Sequence, residues 1–333
     1  MSEQAILYEQ VDSIAKIWMN RPNQGNRISR KLFLELDSAM TKAIADPSVR
    51  VIIISAKGEN FCCGFDVGDP DASLNNNDAC DVTWEYRRDN TQEEIDLWMK
   101  LYTSKKPVIG AIKGRVLGGG YFMAMMFDCI VAADNTVMDN GEFALGMSYT
   151  DYVPFDLWKI PMNIAKEKLL TGYPITAKEG FRLGLFNRVV SVDQLDETAM
   201  TLARRMLRLS PYTLNIHKEL CNMAYDLQGI RNIVPYAKET FNIGMELPGT
   251  KENQEMWDYA RSNPPGALVD LFEEKLAACP FARCNSGYLV NLAQVRGVQQ
   301  GVVEVGPYEL QVSRPKRKSF LAALADYIGG EGV

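Results

Sequence analysis

The chain opens in two hydrophobic rhythms. Val51-Ile52-Ile53-Ile54-Ser55 is an unbroken, mostly β-branched run of strand length, the pattern of a strand buried on both faces. Val108–Ile112 and Cys129–Ala133 repeat it, with a shorter strand at Thr136–Met138. Upstream, Ala5–Gln10 and Ser13–Met19 read as strands around a Val-Asp-Ser turn. Ser29 can then cap a helix to about Ala45, with Leu32, Leu36 and Met40 recurring on one face. Further helices are expected over Thr91–Thr103 and Tyr121–Phe127. From Ala165 onward the period is helical: Ala165–Leu170, Ala177–Leu183, Leu195–Leu209, Tyr212–Leu227 and Val234–Met245, interrupted by one short strand at Arg188–Val190. The segment Pro70–Asp89, rich in Asn and Asp, reads as a mobile insertion.

This is an α/β chain with a β/α front and a helical back. Beyond Asn263-Pro264-Pro265-Gly266 the composition shifts, and Gly301–Val312 reads as a hairpin or an extended arm. Three regions follow: residues 1–200, 201–263, and an extension over 264–333 whose role the pattern leaves open.

Composition narrows the picture. With 333 residues, 47% hydrophobic and 23% charged, the chain can bury a large core, which excludes wholesale disorder. Lys and Arg total 36 against 42 acids, a net charge of −6 that argues against a general nucleic-acid binder. The run Arg314–Lys318 is basic but short, and reads as solvated tail. The uncharged stretch Val116–Phe127 falls short of the roughly 18 apolar residues that a membrane helix needs. Met-Ser-Glu-Gln offers no signal-peptide pattern, and seven cysteines form no disulfide framework, so reduced thiols and a cytoplasmic enzyme are expected.

His217 is the sole histidine, which excludes multi-histidine metal sites and leaves proton transfer mainly to carboxylates, tyrosines and backbone groups. Its place beside Lys218 reads as surface or interface packing. Adjacent Cys62 and Cys63 on a strand end point apart, and Cys279 and Cys284 lack ligand neighbours; packing is expected for all four, and no metal site.

Two strand-to-glycine-to-helix junctions carry the candidate chemistry, Cys63-Gly64-Phe65-Asp66 and Leu117-Gly118-Gly119-Gly120-Tyr121. Such turns bring free backbone N–H groups close to a ligand oxygen, and two of them make an oxyanion hole. Neither fits the phosphate-loop or dinucleotide-binding spacing.

Taken together, Phe61–Asp66, Lys106–Gly120, Asp128 and Leu170-Thr171-Gly172 with Ala177-Lys178-Glu179-Gly180 resemble the crotonase, or enoyl-CoA hydratase/isomerase, superfamily over about residues 5–260. The resemblance implies a spiral of ββα units, a helical C-terminal region that mediates trimers or dimers of trimers, and an enzyme acting on acyl-CoA thioesters. It implies no cofactor beyond the coenzyme A of the substrate. The matching N–H groups are those of Phe65 and Gly119, which would hold the thioester oxygen as enolate character develops. Of the two glutamates common in the family's hydratases, the first position is Phe122 and the second is Glu142. One glutamate suffices for double-bond isomerisation, so Glu142 is the expected general acid/base; otherwise it is a solvated loop acid.

Asp151 lies nine residues after Glu142, near the place where some members carry a catalytic aspartate; otherwise it is a loop cap or a surface acid. The resemblance further places Asn26, Arg27, Ile28, Cys62, Gly64, Asp66, Val67 and Gly118 along the coenzyme A arm, and Phe122 and Tyr149 by the acyl group. Asp66 reads equally as a turn cap. Hydration or isomerisation of an enoyl-CoA is the leading expectation. Hydrolytic cleavage of a cyclic β-keto acyl-CoA and a non-catalytic CoA-binding scaffold are its rivals.

Overall fold

A computed structural model describes residues 4–66, 84–140, 152–246, 251, 255, 281–284, 289–292, 295–299, 301–305 and 308–330. The chain divides into two compact units, Met1–Arg261 and Ser262–Val333.

In the first unit, β1 (Ile6–Val11) and β2 (Ile14–Met19) form an antiparallel hairpin around Asp12, whose φ of 54° makes the turn. Beside β2 run three parallel strands, β3 (Val51–Ala56), β5 (Val108–Ile112) and β7 (Cys129–Ala133), and then β10 (Arg188–Val190). The continuous apolar runs are buried on both sides. Ile52 and Ile54 join one core cluster with Leu32, Leu36 and Met40 of helix α1 (Arg30–Ala45). Val51 and Ile53 face the other way, against Leu195, Ala199 and Ala203 of helix α7 (Leu195–Met206). Each fully buried aliphatic side chain contributes about 1.5–3 kcal/mol, so both faces are fixed by strand alternation alone. Ser29 caps α1 as its spacing predicts, accepting a hydrogen bond from Leu32 N at 3.2 Å.

β3, β5 and β7 each hand over to a short strand of a second sheet, β4 (Cys62–Cys63), β6 (Arg115–Leu117) and β8 (Val137–Asp139), which β9 (Ile175–Thr176) completes. The turns from β3 to β4, β5 to β6 and β7 to β8 stack into a spiral; α2 (Trp84–Thr103) comes between β4 and β5, and α3 (Gly119–Met125) between β6 and β7. Its inner face holds Phe61, Val116, Met138 and the whole of α3. The rest of the unit is helical: α4 (Asp156–Lys159), α5 (Met162–Thr171), α6 (Ala177–Arg182), α7, α8 (Pro211–Leu227) and α9 (Ile233–Glu246). Lys218 of α8 ties the helical region to the sheet, donating to Asp128 Oδ2 at 2.7 Å and to the Leu101 and Lys106 carbonyls. Among the described residues no helix is long and apolar enough to cross a membrane.

Two expectations are corrected and one element is new. Helix α2 begins at Trp84, seven residues before the expected start and inside the segment read as a mobile insertion. A side-chain tie holds that early turn: Arg88 donates twice to Glu239 of α9. Helix α3 starts at Gly119, two residues early, because Gly118 at its N-cap turns the chain directly out of β6. Helix α4 was not expected at all.

The second unit holds a two-stranded sheet (Phe281–Arg283 with Leu289–Asn291), a three-stranded meander (Val295–Gln299, Val302–Val305, Tyr308–Gln311) and a helix, Arg317–Gly330. Of the two readings of Gly301–Val312 the hairpin holds and the extended arm does not: Val302–Val305 and Tyr308–Gln311 pair antiparallel as the last two strands of the meander. Cys284, Val303, Phe320 and Leu324 form its own small core.

Candidate active site

The spiral brings the two glycine junctions side by side. β4 and β6 are parallel with Cys62 opposite Val116 and Cys63 opposite Leu117, and continuing that register sets Gly64 beside Gly118 and Phe65 beside Gly119. The glycines make the approach possible. A Cβ on Gly118 would lie 3.3 Å from Gly64 Cα, and one on Gly119 would lie 2.6 Å from Ile28 Cδ1 and 2.9 Å from Phe65 Cζ. Gly118 has φ 48° and ψ −120°, a backbone conformation that a side chain strains.

Phe65 forms an isolated parallel bridge with Ile28. Ile28 N donates to Gly64 O at 2.9 Å and Asp66 N donates to Ile28 O at 3.0 Å, so the bonds flank Phe65 and its own N–H points to the opposite side. There the chain has left β6 for α3. Gly119 is the first residue of α3, where an N–H has no intrahelical acceptor. Among the described residues neither N–H has a partner, and both lie at the same end of the β4–β6 pair. An oxygen between them would accept from both. Asp139 ends the third strand of this layer, and its carbonyl accepts from Gly118 N at 3.2 Å. Glu142, Tyr149 and Asp151, as well as Val67, lie outside the described residues.

The predicted coenzyme A segment is built mainly from side chains that hold the loop. Asn26 is fully buried at φ 53°; its Oδ1 accepts from Arg21 N, and its Nδ2 donates to the Lys57 and Asn60 carbonyls, each at 2.8 Å. Its amide is spent on the fold, leaving backbone groups to meet a ligand. Asp66 pairs with Arg21 at 2.8 Å and lies 3.8 Å from Arg27, clamping the loop that carries Ile28 to the one that carries Phe65. Arg21 was missed by the sequence reading. Cys62 is buried under Gly120, where a Cβ would meet it at 2.6 Å, and burial pushes its thiol up to about 12, so it is no thiolate at neutral pH. His217 is exposed, as expected.

Phe122 is fully buried one turn into α3, with its ring 4.9 Å from that of Tyr152. On the other side of α3, the Tyr121 hydroxyl donates to Asp156 Oδ2 at 2.8 Å, and Lys168 Nζ sits 4.0 Å over the Tyr121 ring. Burial raises the Asp156 pKa, while Lys168 and the tyrosine hydroxyl oppose that rise. This cluster anchors the first turn of the helix that begins at Gly119. We expect Asp156→Asn to cost about 2–3 kcal/mol, because a hydrogen bond to a charged acceptor is lost and Lys168 is left buried without its counter-charge. Urea unfolding measures it; an unchanged midpoint would contradict that role.

A cavity of about 430 Å³ lies elsewhere, among Pro107, Asp128, Lys159 and Lys218. It sits at the amino ends of β5 and β7, whereas ligands of parallel α/β layers gather at the carboxyl ends, where the glycine junctions are.

The enoyl-CoA hydratase/isomerase family model matches residues 9–241. The chain belongs to this family. A crotonyl-CoA hydratase of Syntrophomonas wolfei is 29% identical over 227 residues, 67% of this chain and 83% of that one. A carnitinyl-CoA dehydratase of Proteus mirabilis is 31% identical over 223 residues, 65% and 79% of the two chains. The crystal structure of an enoyl-CoA hydratase/isomerase from Xanthobacter autotrophicus Py2 superposes with a TM-score of 0.73 at 26% identity, covering 82% of this chain and 99% of that one. The fold is thus the crotonase spiral, and the family is one of acyl-CoA enzymes.

Proposed function

We propose that this protein hydrates an enoyl-CoA thioester or moves its double bond, through an enolate held by the N–H groups of Phe65 and Gly119. The observation that carries the reading is the pair of N–H groups, unpartnered among the described residues, that the β4–β6 pairing brings to one end of the layer. A ground-state thioester carbonyl carries little charge, whereas water attack at Cβ or proton loss from Cα puts a negative charge on the oxygen. Donors fixed in place before that charge appears stabilise the transition state more than the bound substrate.

Glu142 is the acid/base group of this proposal. In isomerisation it removes a proton at Cα and returns it at Cγ; in hydration it takes the proton of the attacking water. The adenine and pantetheine arm would lie along the backbone of 26–28, 62, 64, 66 and 67, with Arg27 near its phosphates. No cofactor besides that coenzyme A, and no metal, enters these steps. Assembly as a trimer or dimer of trimers is part of the reading, supported by the apolar side chains that α8 and α9 expose, Tyr212, Leu220, Leu227 and Tyr236. So is a cytoplasmic setting, in keeping with a chain of seven cysteines and no expected disulfide framework.

The test is product mass after incubation with a panel of acyl-CoA thioesters in heavy-oxygen water. Gain of one labelled water on an enoyl-CoA with the thioester intact, or a shifted double bond at unchanged mass, is expected. Ring cleavage of a cyclic β-keto acyl-CoA, or coenzyme A binding with no turnover of any panel member, would overturn it.

A further inference from the structure

Glu94 of α2 is a carboxylate that neither the fold nor the proposed reaction has used. It is 9% exposed, on the helix face that meets Tyr152 and the start of α3. The Tyr152 ring lies 4.9 Å from that of Phe122, tilted by 58°, and Phe122 lies three residues, about one helical turn, after Gly119. Trp98 Nε1 donates to the Tyr152 hydroxyl at 3.3 Å, and an indole N–H can only donate. The Tyr152 proton is therefore directed at Glu94 Oε2, 2.6 Å away. Glu94 Oε1 has no hydrogen-bond partner among the described residues. Oε1 is not among the fully buried polar atoms, so Tyr152 fixes one oxygen of this largely buried carboxylate in an arrangement that leaves the other open to its surroundings. It is a useful one for moving a proton.

We infer that Glu94 is a second acid/base group of this enzyme, exchanging a proton with the substrate through Oε1 while Tyr152 holds Oε2. The inference rests on the enoyl-CoA reading above and favours hydration within it. Adding water needs two proton transfers, one from the water oxygen that attacks Cβ and one to Cα. The oxygen of water bonds to Cβ while one of its protons passes to Glu142. The Cα–Cβ π electrons move toward the thioester, and the enolate forms. Glu94 then gives its proton to Cα, which restores the thioester carbonyl. The proton on Glu142 leaves to solvent and Glu94 takes one up, so the net change is one water added.

The surroundings suit the role. Burial raises the Glu94 pKa to about 7, with the Tyr152 hydrogen bond and Arg30 opposing the rise and Glu93 adding to it. Near neutrality both protonation states are populated, as a proton donor that must recharge each cycle requires. The other charged groups around it are committed to partners: Arg30 to Glu93, Arg88 to Glu239 of α9, and Lys238 of α9 to Gln92.

The test compares wild type with Glu94→Gln and Tyr152→Phe on crotonyl-CoA across pH, with unfolding midpoint and coenzyme A affinity measured alongside. For the wild type, kcat should fall as pH rises through about 7, the acid being lost. Glu94→Gln should lower kcat by roughly 10²–10⁴-fold, remove that limb and leave coenzyme A affinity unchanged. Tyr152→Phe should keep measurable activity with the limb displaced to higher pH, since a hydrogen bond to the charged form is gone. If Glu94→Gln does not fold, the Tyr152→Phe displacement decides, and a limb that stays in place overturns the inference. Wild-type turnover with Glu94→Gln keeping both rate and limb overturns this inference alone. No wild-type turnover of any enoyl-CoA overturns the enoyl-CoA reading and this inference with it.

Discussion

Replacing Gly118 with alanine is expected to lower kcat on an enoyl-CoA at least a hundredfold while leaving the fold in place. At φ 48° and ψ −120° an alanine is strained, and its Cβ would sit 3.3 Å from Gly64 Cα, backbone that cannot rotate away. The relief open to the chain is to separate β4 from β6 at the point where Phe65 and Gly119 present their N–H groups. Withdrawing one donor from a developing oxyanion costs about 3 kcal/mol, roughly two orders of magnitude in rate. Steady-state kinetics paired with circular dichroism checks it. A folded variant with unchanged kcat would mean that this junction does not hold the reacting oxygen.

The second large effect is expected at Glu142. Glu142→Gln keeps the size of the side chain and removes its ability to take a proton, so kcat should fall by roughly 10²–10⁴-fold with little change in coenzyme A affinity. Loss of kcat at constant affinity is the sign of an interaction made only in the transition state. An equal loss of affinity would instead make Glu142 part of the binding surface, and full activity would remove it from the mechanism.

Much of the fold was legible because burial on both faces leaves a plain mark. Val51–Ser55, Val108–Ile112 and Cys129–Ala133 have no polar alternation, and each proved to be an interior strand. Ser29 announced its helix through capping chemistry. Glycine spacing pointed to the two junctions, since only close backbone approach explains so many residues without side chains.

What the sequence hid were contacts between distant segments. The start of α2 looked like an insertion because its stabilising partner, Glu239, lies far away in the chain. Asn26 lies on the expected coenzyme A segment through its main chain, but nothing local showed that its amide is consumed by three backbone groups that only the folded loop assembles. Arg21 had no local reason to pair with Asp66. Glu94 was invisible for a related reason: on a helix with many charges, burial is decided by what packs on top, here Tyr152, some 58 residues later. Sequence periodicity does not see such a neighbour. The weak amphipathic pattern of α2, with polar residues on most faces, is the one trace it left.

The central claim is that the Phe65 and Gly119 N–H groups stabilise a thioester enolate, and exchange at Cα tests it most directly. The purified protein would be incubated in heavy water with a saturated acyl-CoA, which can form the enolate but cannot be hydrated. The Cα signal would be followed by proton NMR. Loss of one Cα proton to deuterium, at a rate well above the buffer control and lowered by Gly118→Ala, is the predicted result. A Cα signal that persists as in buffer, under conditions in which the protein binds the thioester, would contradict the claim.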